Sequence, residues 1–299
     1  MQSQRLERLS HAQRERLAYI DFRLYFMGEV GRPDLARRFG VAPAGATRDL
    51  ALYREIAPRN IAFDGSSKVY RIGEVFSPVF EHTAARVLSV LAHGFGDGVD
   101  ADPQPLLPCE SPTALSSPGM AVLAPVCRAI HAGRPVAIRY HSMSSGVSDR
   151  IIVPFALVDT GLRWHVRAFD RRHGEFRDFV VTRIEAPHVL DEAPQPNELP
   201  GNDIQWTRIV ELDFVPHPRL ARPEIVCMDY GMKEGVLHMR VRAAVAGYML
   251  LRWSVDCSPD HRLAEEQYRL WLADPLALYG VESARLAPGY QPPVKQQEP

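Results

Sequence analysis

The chain has 299 residues, of which 46% are hydrophobic and 24% charged, as in ordinary globular proteins of two or three domains. The net charge is −1 and the four cysteines form no Cys-x-x-Cys pair, which argues against a uniformly basic nucleic-acid coat, a disulfide framework and a structural zinc site. The N-terminal arginines precede no apolar run and the apolar run 243–251 is too short to span a bilayer, so we expect a protein of the reducing cytoplasm without membrane partners.

The first 80 residues carry 13 Lys or Arg and 9 Asp or Glu, whereas the rest of the chain is net negative. Apolar spacing predicts a long helix over 5–29, a short helix over 32–39 and a third helix that starts at Pro43. Alternating residues about Asp64-Gly65 then predict a hairpin over 60–72. This order is typical of a winged helix-turn-helix, in which the third helix enters the major groove and the hairpin contacts the DNA backbone.

The candidate DNA contacts of this module, residues 1–80, are small or can bond bases and phosphates. They lie on the second and third helices and at the hairpin tip: Arg32, Gly45, Thr47, Arg48, Arg54, Ser66, Ser67 and Lys68. The alternative is a three-helix domain with a structural hairpin, in which these are ordinary surface residues. The positive face favours DNA, because winged helices that contact proteins usually lack one.

Three further regions follow. Residues 81–133 are predicted to be a helical and proline-rich linker, with helices over 81–100 and 120–131. Residues 134–190 are rich in strands (136–140, 150–158, 162–169 and 176–184) and predict a small antiparallel, barrel-like domain with Pro154 at an edge or bend. After a second linker over 191–202, residues 205–288 predict an α+β sandwich with strands 209–214 and 236–242, helices 219–230 and 243–253, and a later segment 262–272.

The middle region resembles the WYL domain of bacterial transcription regulators. The resemblance rests on Val136-Ala-Ile-Arg-Tyr140, Arg150, Pro154, Gly161-Leu-Arg-Trp-His-Val-Arg167, Arg177-Asp-Phe179 and Arg183-Ile184. Only Trp164 of the namesake Trp-Tyr-Leu is retained. The order of modules over roughly 5–285 resembles the regulators of phage-defence islands of the BrxR and CapW type.

That resemblance implies an α+β multidomain protein with a winged helix-turn-helix, a barrel-like (Sm-like) WYL domain and a C-terminal dimerisation domain similar to the WCX extension. It also implies a homodimeric repressor of a palindromic operator on double-stranded DNA, with the WYL domain as effector sensor. From the residues, the apolar helix 243–253 and the long first helix are the candidate dimer surfaces.

Cationic, hydroxyl and aromatic side chains of the WYL-like region would converge if its sheet curves. They are Tyr140, Ser142, Ser144, Arg150, His165, Arg167, Phe169, Arg177 and Arg183. Guanidinium groups bind phosphate or carboxylate bidentately, so these residues predict a pocket for an anionic effector such as a nucleotide or nucleic acid. The alternative is that Arg167, Arg177 and Asp178 form structural ion pairs that hold the sheet.

The sequence contains no HExxH, GxSxG, Walker or Asp-rich metal pattern, so it predicts neither an enzyme nor a cofactor or metal. The favoured function is a ligand-responsive DNA-binding repressor, which by the resemblance acts on an anti-phage defence operon. The alternatives are a nucleic-acid- or protein-binding scaffold without operator specificity, a transcriptional activator, or a hydrolase with an accessory DNA module.

Overall fold

A computed structural model describes residues 6, 9–95, 105–110, 112 and 115–292 of the chain. It divides into two compact units, Met1–Pro112 and Thr113–Pro299. Within the described ranges, no helix is both long and apolar enough to cross a membrane.

The N-terminal unit has the predicted order of helices followed by a hairpin. Its helices are α1 (His11–Phe22), α2 (Arg32–Phe39), α3 (Pro43–Ile56) and α4 (Ala84–His93). Its strands β1 (Glu29–Val30), β2 (Ile61–Asp64) and β3 (Val69–Ile72) form an antiparallel sheet in the order β1-β3-β2. The two-residue strand β1 was not predicted, because so short a strand leaves no alternation in the sequence.

Within the described residues, the first helix is shorter than the predicted span 5–29, of which residues 5, 7 and 8 lie outside the described ranges. Helix α1 begins at His11 because the Ser10 hydroxyl accepts a hydrogen bond from the Gln13 amide. A π-helical turn over Arg23–Met27 continues it, and Gly28 ends that turn at a φ of +77°. The helix predicted within 81–100 is confined to α4, and residues 96–100 lie outside the described ranges.

A buried carboxylate ties the N-terminal unit together. Asp21, fully buried on α1, accepts hydrogen bonds from the Tyr53 hydroxyl at 2.5 Å and the Val79 amide at 3.0 Å, and it bonds His82 Nε2 at 2.8 Å. The Tyr53 oxygen in turn accepts a hydrogen bond from Asn60 Nδ2 at 3.1 Å. These bonds fix α3, the base of the hairpin and the chain that leads to α4 against one helix.

The C-terminal unit begins with helix α5 (Met120–Ala132) and a five-stranded antiparallel sheet. Its strands are β4 (Val136–Ser142), β5 (Gly146–Asp159), β6 (Trp164–Asp170), β7 (Glu175–Val180) and β8 (Ile184–Val189). The order is β7-β6-β5-β4-β8, so β7 and β8 are edges and the sheet is open. The barrel-like antiparallel domain expected from the sequence is therefore an antiparallel sheet, but an open one and not a closed barrel.

Two local predictions for this sheet also needed correction. Of the two positions predicted for Pro154, the edge is wrong, because Pro154 lies on the central strand β5. The shift of register between Pro154 and Ala156 fits the other, a bend, and accommodates the missing N–H. The strand predicted over 176–184 ends at Val180, where a 3-10 turn over Val181–Arg183 diverts the chain to pair β8 with β4.

The chain after the five-stranded sheet is ordered rather than a loose linker. Two 3-10 turns, Pro196–Glu198 and Pro200–Asn202, lead to the short helix α6 (Ile204–Thr207). The buried Asp203 caps α6 by accepting hydrogen bonds from its first amides.

A four-stranded sheet and its helices form the rest of the unit. The elements are β9 (Ile209–Pro216), α7 (Pro223–Asp229), β10 (Leu237–Arg242), α8 (Ala243–Arg252), β11 (Val255–Asp256) and β12 (Leu270–Leu272), and the strand order is β10-β9-β12-β11. The predicted helix 219–230 shortens to α7. The segment 262–272 supplies strand β12.

Helix α8 is not a free dimer surface, contrary to the sequence expectation. Ala243, Ala246 and Leu250 are fully buried in the core formed with β9, β11 and β12. Gly247 packs so closely on a 3-10 turn, Glu282–Leu286, that a β-carbon built on it would lie 1.7 Å from the Ser283 carbonyl oxygen. Its amide donates a hydrogen bond to the Ser283 hydroxyl at 3.0 Å.

We therefore expect Gly247→Ala to destabilise the C-terminal unit by about 1–3 kcal/mol, because overpacking outweighs the better helix propensity of alanine. Denaturant unfolding followed by circular dichroism measures the change. Gly201→Ala is the matched control, since a β-carbon there meets open space. Equal unfolding free energies for the two variants would contradict the packing argument.

Candidate DNA interface and effector cleft

Helix α3 has one buried and one exposed face. Ala46, Leu50 and Tyr53 are fully buried in the core of the N-terminal unit. The opposite face carries the exposed side chains of Arg48 and Arg54. Neither guanidinium has a carboxylate partner among the described residues, so both are available to bases or phosphates.

The other predicted contacts lie near this face. Thr47 is exposed and its hydroxyl donates to the Pro43 carbonyl at 2.9 Å. Gly45 is half-buried, and Arg32 is exposed on the first turn of α2.

An ion pair that the sequence does not reveal joins α1 to α3. Arg16 on α1 donates to the buried carboxylate of Asp49, through Nε at 2.6 Å and Nη2 at 3.3 Å. The two residues are 33 positions apart, so no local spacing could reveal the pair. Because Asp49 is neutralised, it does not offset the positive charge on the exposed face.

The hairpin tip is organised by Asp64. Its carboxylate accepts hydrogen bonds from the Ser66 hydroxyl at 2.6 Å, the Ser67 hydroxyl at 2.8 Å and Arg71 Nε at 3.0 Å. These bonds hold the pKa of Asp64 well below its ordinary value. Since the two hydroxyls already donate to Asp64, the serines shape the turn, and their contact with DNA stays a prediction. Lys68 is exposed beside them at a φ of +57°, with no ionic partner in the described part of the chain.

A cleft of about 900 Å³ lies in the C-terminal unit, between the five-stranded sheet and the elements around α8. Seven of the nine predicted effector residues line it: Tyr140, Ser142, Ser144, Arg150, Arg167, Arg177 and Arg183. The facing wall was not predicted and consists of Gln205, Ala244, Tyr248, Glu282, Ser283, Arg285 and Leu286. These residues lie far along the chain, in a region whose strand and helix pattern carried no signal of a binding site.

Arg167 forms the ion pairs of the structural alternative. Its guanidinium donates to Asp203 through Nε at 2.7 Å and Nη2 at 3.0 Å, and to Asp178 through Nη1 at 3.2 Å. Burial alone would lower the pKa of Arg167, but the Asp203 and Asp178 carboxylates raise it above its ordinary value. Asp178 also accepts a hydrogen bond from the Tyr248 hydroxyl at 3.2 Å. Arg167 therefore joins the five-stranded sheet to α6 and α8.

Two more cleft arginines are also neutralised. Arg150 is buried, donates to Asp170 at 2.9 Å and lies over the Tyr140 ring. Arg177 pairs with Glu175 at the exposed edge strand β7. The Tyr140 hydroxyl accepts a hydrogen bond from the Val180 amide at 3.2 Å, which sets the end of β7.

His165 and Phe169 do not line the cleft, contrary to the prediction. The His165 ring is 5% exposed and packs against the Tyr248 ring, with centroids 5.2 Å apart. Its burial lowers the pKa, which favours the neutral ring. Phe169 packs edge-to-face on Phe176 at 5.1 Å. Alternation along β6 was correct, but neighbouring side chains cover both rings.

The described residues contain no cluster of three or more His, Cys, Asp or Glu side chains placed to hold a metal ion.

We expect Arg167→Ala to destabilise the C-terminal unit by about 3–5 kcal/mol, because it leaves Asp203 and Asp178 as uncompensated carboxylates in a buried site. Thermal and denaturant unfolding measure the loss. Arg177→Ala, which breaks an exposed pair, serves as control and should cost no more than about 1 kcal/mol. If the Arg167→Ala protein is as stable as the control, the ion pairs of Arg167 are not structural, and Arg167 is again a candidate for direct contact with the effector.

Comparison with known proteins assigns three segments. A model for the BrxR transcriptional regulator winged helix-turn-helix domain matches residues 12–93, the WYL domain model matches 121–189, and the BrxR transcriptional regulator C-terminal dimerization domain model matches 209–278.

Curated relatives match most of the chain. The DNA-binding transcriptional repressor CapW of Escherichia coli (strain KTE188) is 32% identical over 268 residues, which cover 85% of this chain and 86% of that protein. CapW of Stenotrophomonas maltophilia is 31% identical over 265 residues, covering 86% and 88%. CapW of Pseudomonas aeruginosa is 30% identical over 258 residues, covering 82% and 83%.

A solved structure, the proteasome accessory factor B/C (PafBC) of Arthrobacter aurescens, aligns with 88% of this chain at 17% identity and a TM-score of 0.25. The chain spans 46% of that structure.

Proposed function

Because the chain belongs to the BrxR and CapW family of WYL-domain transcriptional regulators, we propose that it is a homodimeric repressor that binds a palindromic operator on double-stranded DNA. The observation that carries the proposal is the exposed face of α3, where Arg48 and Arg54 are unpaired in the described part and Lys68 lies on the adjacent hairpin. The matched domains and CapW relatives are those of transcriptional regulators, so the chain is a regulator and not an enzyme.

Dimerisation follows from the third match and from the size of the DNA site. The matched C-terminal domain is a dimerization domain by description. One winged helix contacts only a few base pairs, so useful specificity needs two coupled half-sites. We propose residues 1–80 as the DNA-binding domain, 81–133 as linker, 134–190 as the WYL domain and 205–288 as the dimerisation domain. A WCX-like sandwich remains our proposal for the last of these.

The cleft is proposed as the effector site. Its lining combines arginines with the hydroxyls of Ser142 and Ser144, which suits an anionic effector such as a nucleotide or nucleic acid. Because Arg167 and Arg150 are occupied by carboxylates, direct contact with the effector falls to the remaining polar groups. By resemblance to the phage-defence regulators, we propose that the controlled genes form an anti-phage defence operon.

A gel-shift titration with the DNA upstream of the gene, at several salt concentrations, tests the repressor assignment. We expect at least a thousandfold preference for an upstream inverted repeat over random DNA of the same length. Equal affinity for both would support a scaffold without operator specificity. A reporter gene behind the same DNA separates repression from activation.

We expect Arg48→Ala to lower operator affinity by about 1–3 kcal/mol and to relax base preference, since Arg48 is an exposed arginine on the recognition helix. Competition gel shifts with operator and random DNA measure both effects. Arg86→Ala, an exposed arginine on α4 of the same unit, is the matched control and should have little effect. Equal losses on operator and random DNA would make Arg48 a phosphate contact instead.

Lys68→Ala should weaken specific and random DNA alike, because a lysine on the hairpin contacts phosphate. The slope of log affinity against log salt concentration should fall in magnitude by about 1 per protomer. Lys233→Ala, an exposed lysine of the C-terminal unit, should leave the slope unchanged. If Lys68→Ala also leaves it unchanged, Lys68 lies outside the interface.

A further inference from the structure

We propose that the cleft binds a phosphate-type dianion between two guanidinium groups from opposite walls, Arg183 and Arg285, and that the ligand thereby links the WYL sheet to the dimerisation domain. The proposal rests on the effector role of the cleft. It adds a second binding wall, the C-terminal one, and names the chemical class of the ligand.

Most of the positive charge in the cleft lining is neutralised by carboxylates, but two arginines are not. Of its five arginines, Arg150, Arg167 and Arg177 have carboxylate partners within 4 Å. Arg183 and Arg285 have none among the residues that the structure describes. Arg183 donates only to Met143 Sδ, at 3.1 Å, which is a weak acceptor. The unneutralised positive charge of the cleft is therefore concentrated on these two residues.

The acidic residues of the lining cancel only part of this charge. Glu175 pairs with Arg177, and Asp178 is bonded by Arg167 and the Tyr248 hydroxyl. Glu282 is exposed and has no ionic partner in the described ranges. Among the described residues, the lining thus carries two unpaired guanidinium groups and one unpaired carboxylate, and a bound anion would neutralise the remaining positive charge.

Arg183 and Arg285 lie on different walls of the cleft. Arg183 is half-buried on the 3-10 turn Val181–Arg183 that follows β7. Arg285 is exposed on the 3-10 turn Glu282–Leu286 that packs against α8. The first turn connects two strands of the five-stranded sheet, and the second packs in the core of the four-stranded sheet of the same unit.

Arg183 and Arg285 both line the same cleft of about 900 Å³. Beside that cleft, the His165 ring of β6 packs against the Tyr248 ring of α8, with ring centroids 5.2 Å apart. The two walls therefore meet at this ring contact, and each wall contributes one of the two guanidinium groups to the cavity.

The two guanidinium groups determine which class of anion the cleft would bind. Guanidinium groups donate two parallel hydrogen bonds to phosphate oxygens, and a ligand with two negative charges satisfies both arginines. The turn between β4 and β5 adds hydroxyls from Ser142, Ser144 and Ser145 to the lining. Carboxylate monoanions would leave one arginine unpaired, so the site favours a phosphate monoester or a polyphosphate.

Such a ligand couples effector binding to the dimerisation domain. It binds best when both turns are close, so it favours that arrangement over any in which they separate. Coupling of this kind requires Arg285, whereas a ligand held by the WYL sheet alone would not bias the C-terminal domain. The arginine of the C-terminal wall is therefore the residue that distinguishes the two possibilities.

Isothermal titration of the full-length protein with inorganic pyrophosphate tests the proposal. We expect saturable binding to the wild type, at least tenfold weaker binding to Arg183→Gln and to Arg285→Gln, and no measurable binding to the double variant. Arg240→Gln, on an exposed arginine of β10 that pairs with Glu211, is the matched control and should bind as the wild type does. Melting temperatures of the two cleft variants should match that of the wild type, because neither arginine has a carboxylate partner to lose among the described residues. The Arg240→Gln control loses only an exposed pair, which contributes little to stability.

Three results would overturn the proposal. Absence of saturable binding to the wild type would remove the anion site, and unchanged binding to both single variants would place the anion elsewhere. Loss of binding in Arg183→Gln with wild-type binding in Arg285→Gln would leave an anion site on the WYL sheet and remove the second wall. Gel shifts of the same proteins on the operator keep a failure of the repressor assignment separate from a failure of the cleft.

Discussion

The buried ion pair of Arg167 with Asp203 and Asp178 determines the arrangement of the C-terminal unit. One guanidinium uses three of its nitrogens on two carboxylates that come from different parts of the chain. Asp203 also caps α6, and Asp178 accepts from Tyr248 on α8. Burying the charges of Arg167 and its two carboxylate partners costs free energy. Loss of any one of the three groups would leave an unpaired charge in a buried site. The orientation of the dimerisation domain against the WYL sheet, and hence the shape of the cleft, depends on it.

The same principle separates structural from available charge elsewhere in the molecule. In the N-terminal unit, Arg16 neutralises the buried Asp49. Asp64 accepts hydrogen bonds from the hydroxyls of Ser66 and Ser67 in the hairpin turn. Arg48 and Arg54 on the exposed face of α3, and Lys68 on the hairpin, are among the cations that have no carboxylate partner in the described part. The buried carboxylate of Asp49 is thus paired internally, while these exposed cations stay available to an external anion.

A regulator built in this way has two cationic surfaces of different kinds, and we propose that each binds an anion. The first lies on a helix and a hairpin, which suits the grooves and phosphates of a duplex. The second is a concave cleft with walls from two domains, which suits a small anion. An effector can change operator binding only if it binds one arrangement of the chain better than another, and a cleft between two domains offers such a difference.

The sequence by itself determined the order and type of most elements. Gly40, Pro43 and the alternating residues around Asp64-Gly65 act over a few residues, so the helix-turn-helix and its hairpin could be predicted from local chemistry. The strands of the WYL domain and seven residues of one cleft wall could be predicted for the same reason, because alternation along a strand decides which side chains share a face.

Contacts between distant segments determine which of these side chains form structural ion pairs and which stay available to a ligand. Arg167 and Arg183 have the same chemistry in the sequence, but Asp203, 36 residues after Arg167, makes the first a structural ion pair, while the diversion of the chain at Val181–Arg183 leaves the second without a carboxylate among the described residues. The open sheet, the burial of α8 and the second wall of the cleft also depend on contacts between distant segments. Local pattern fixes the direction of a side chain, whereas its partner is fixed only when remote carboxylates and rings are brought within a few ångströms.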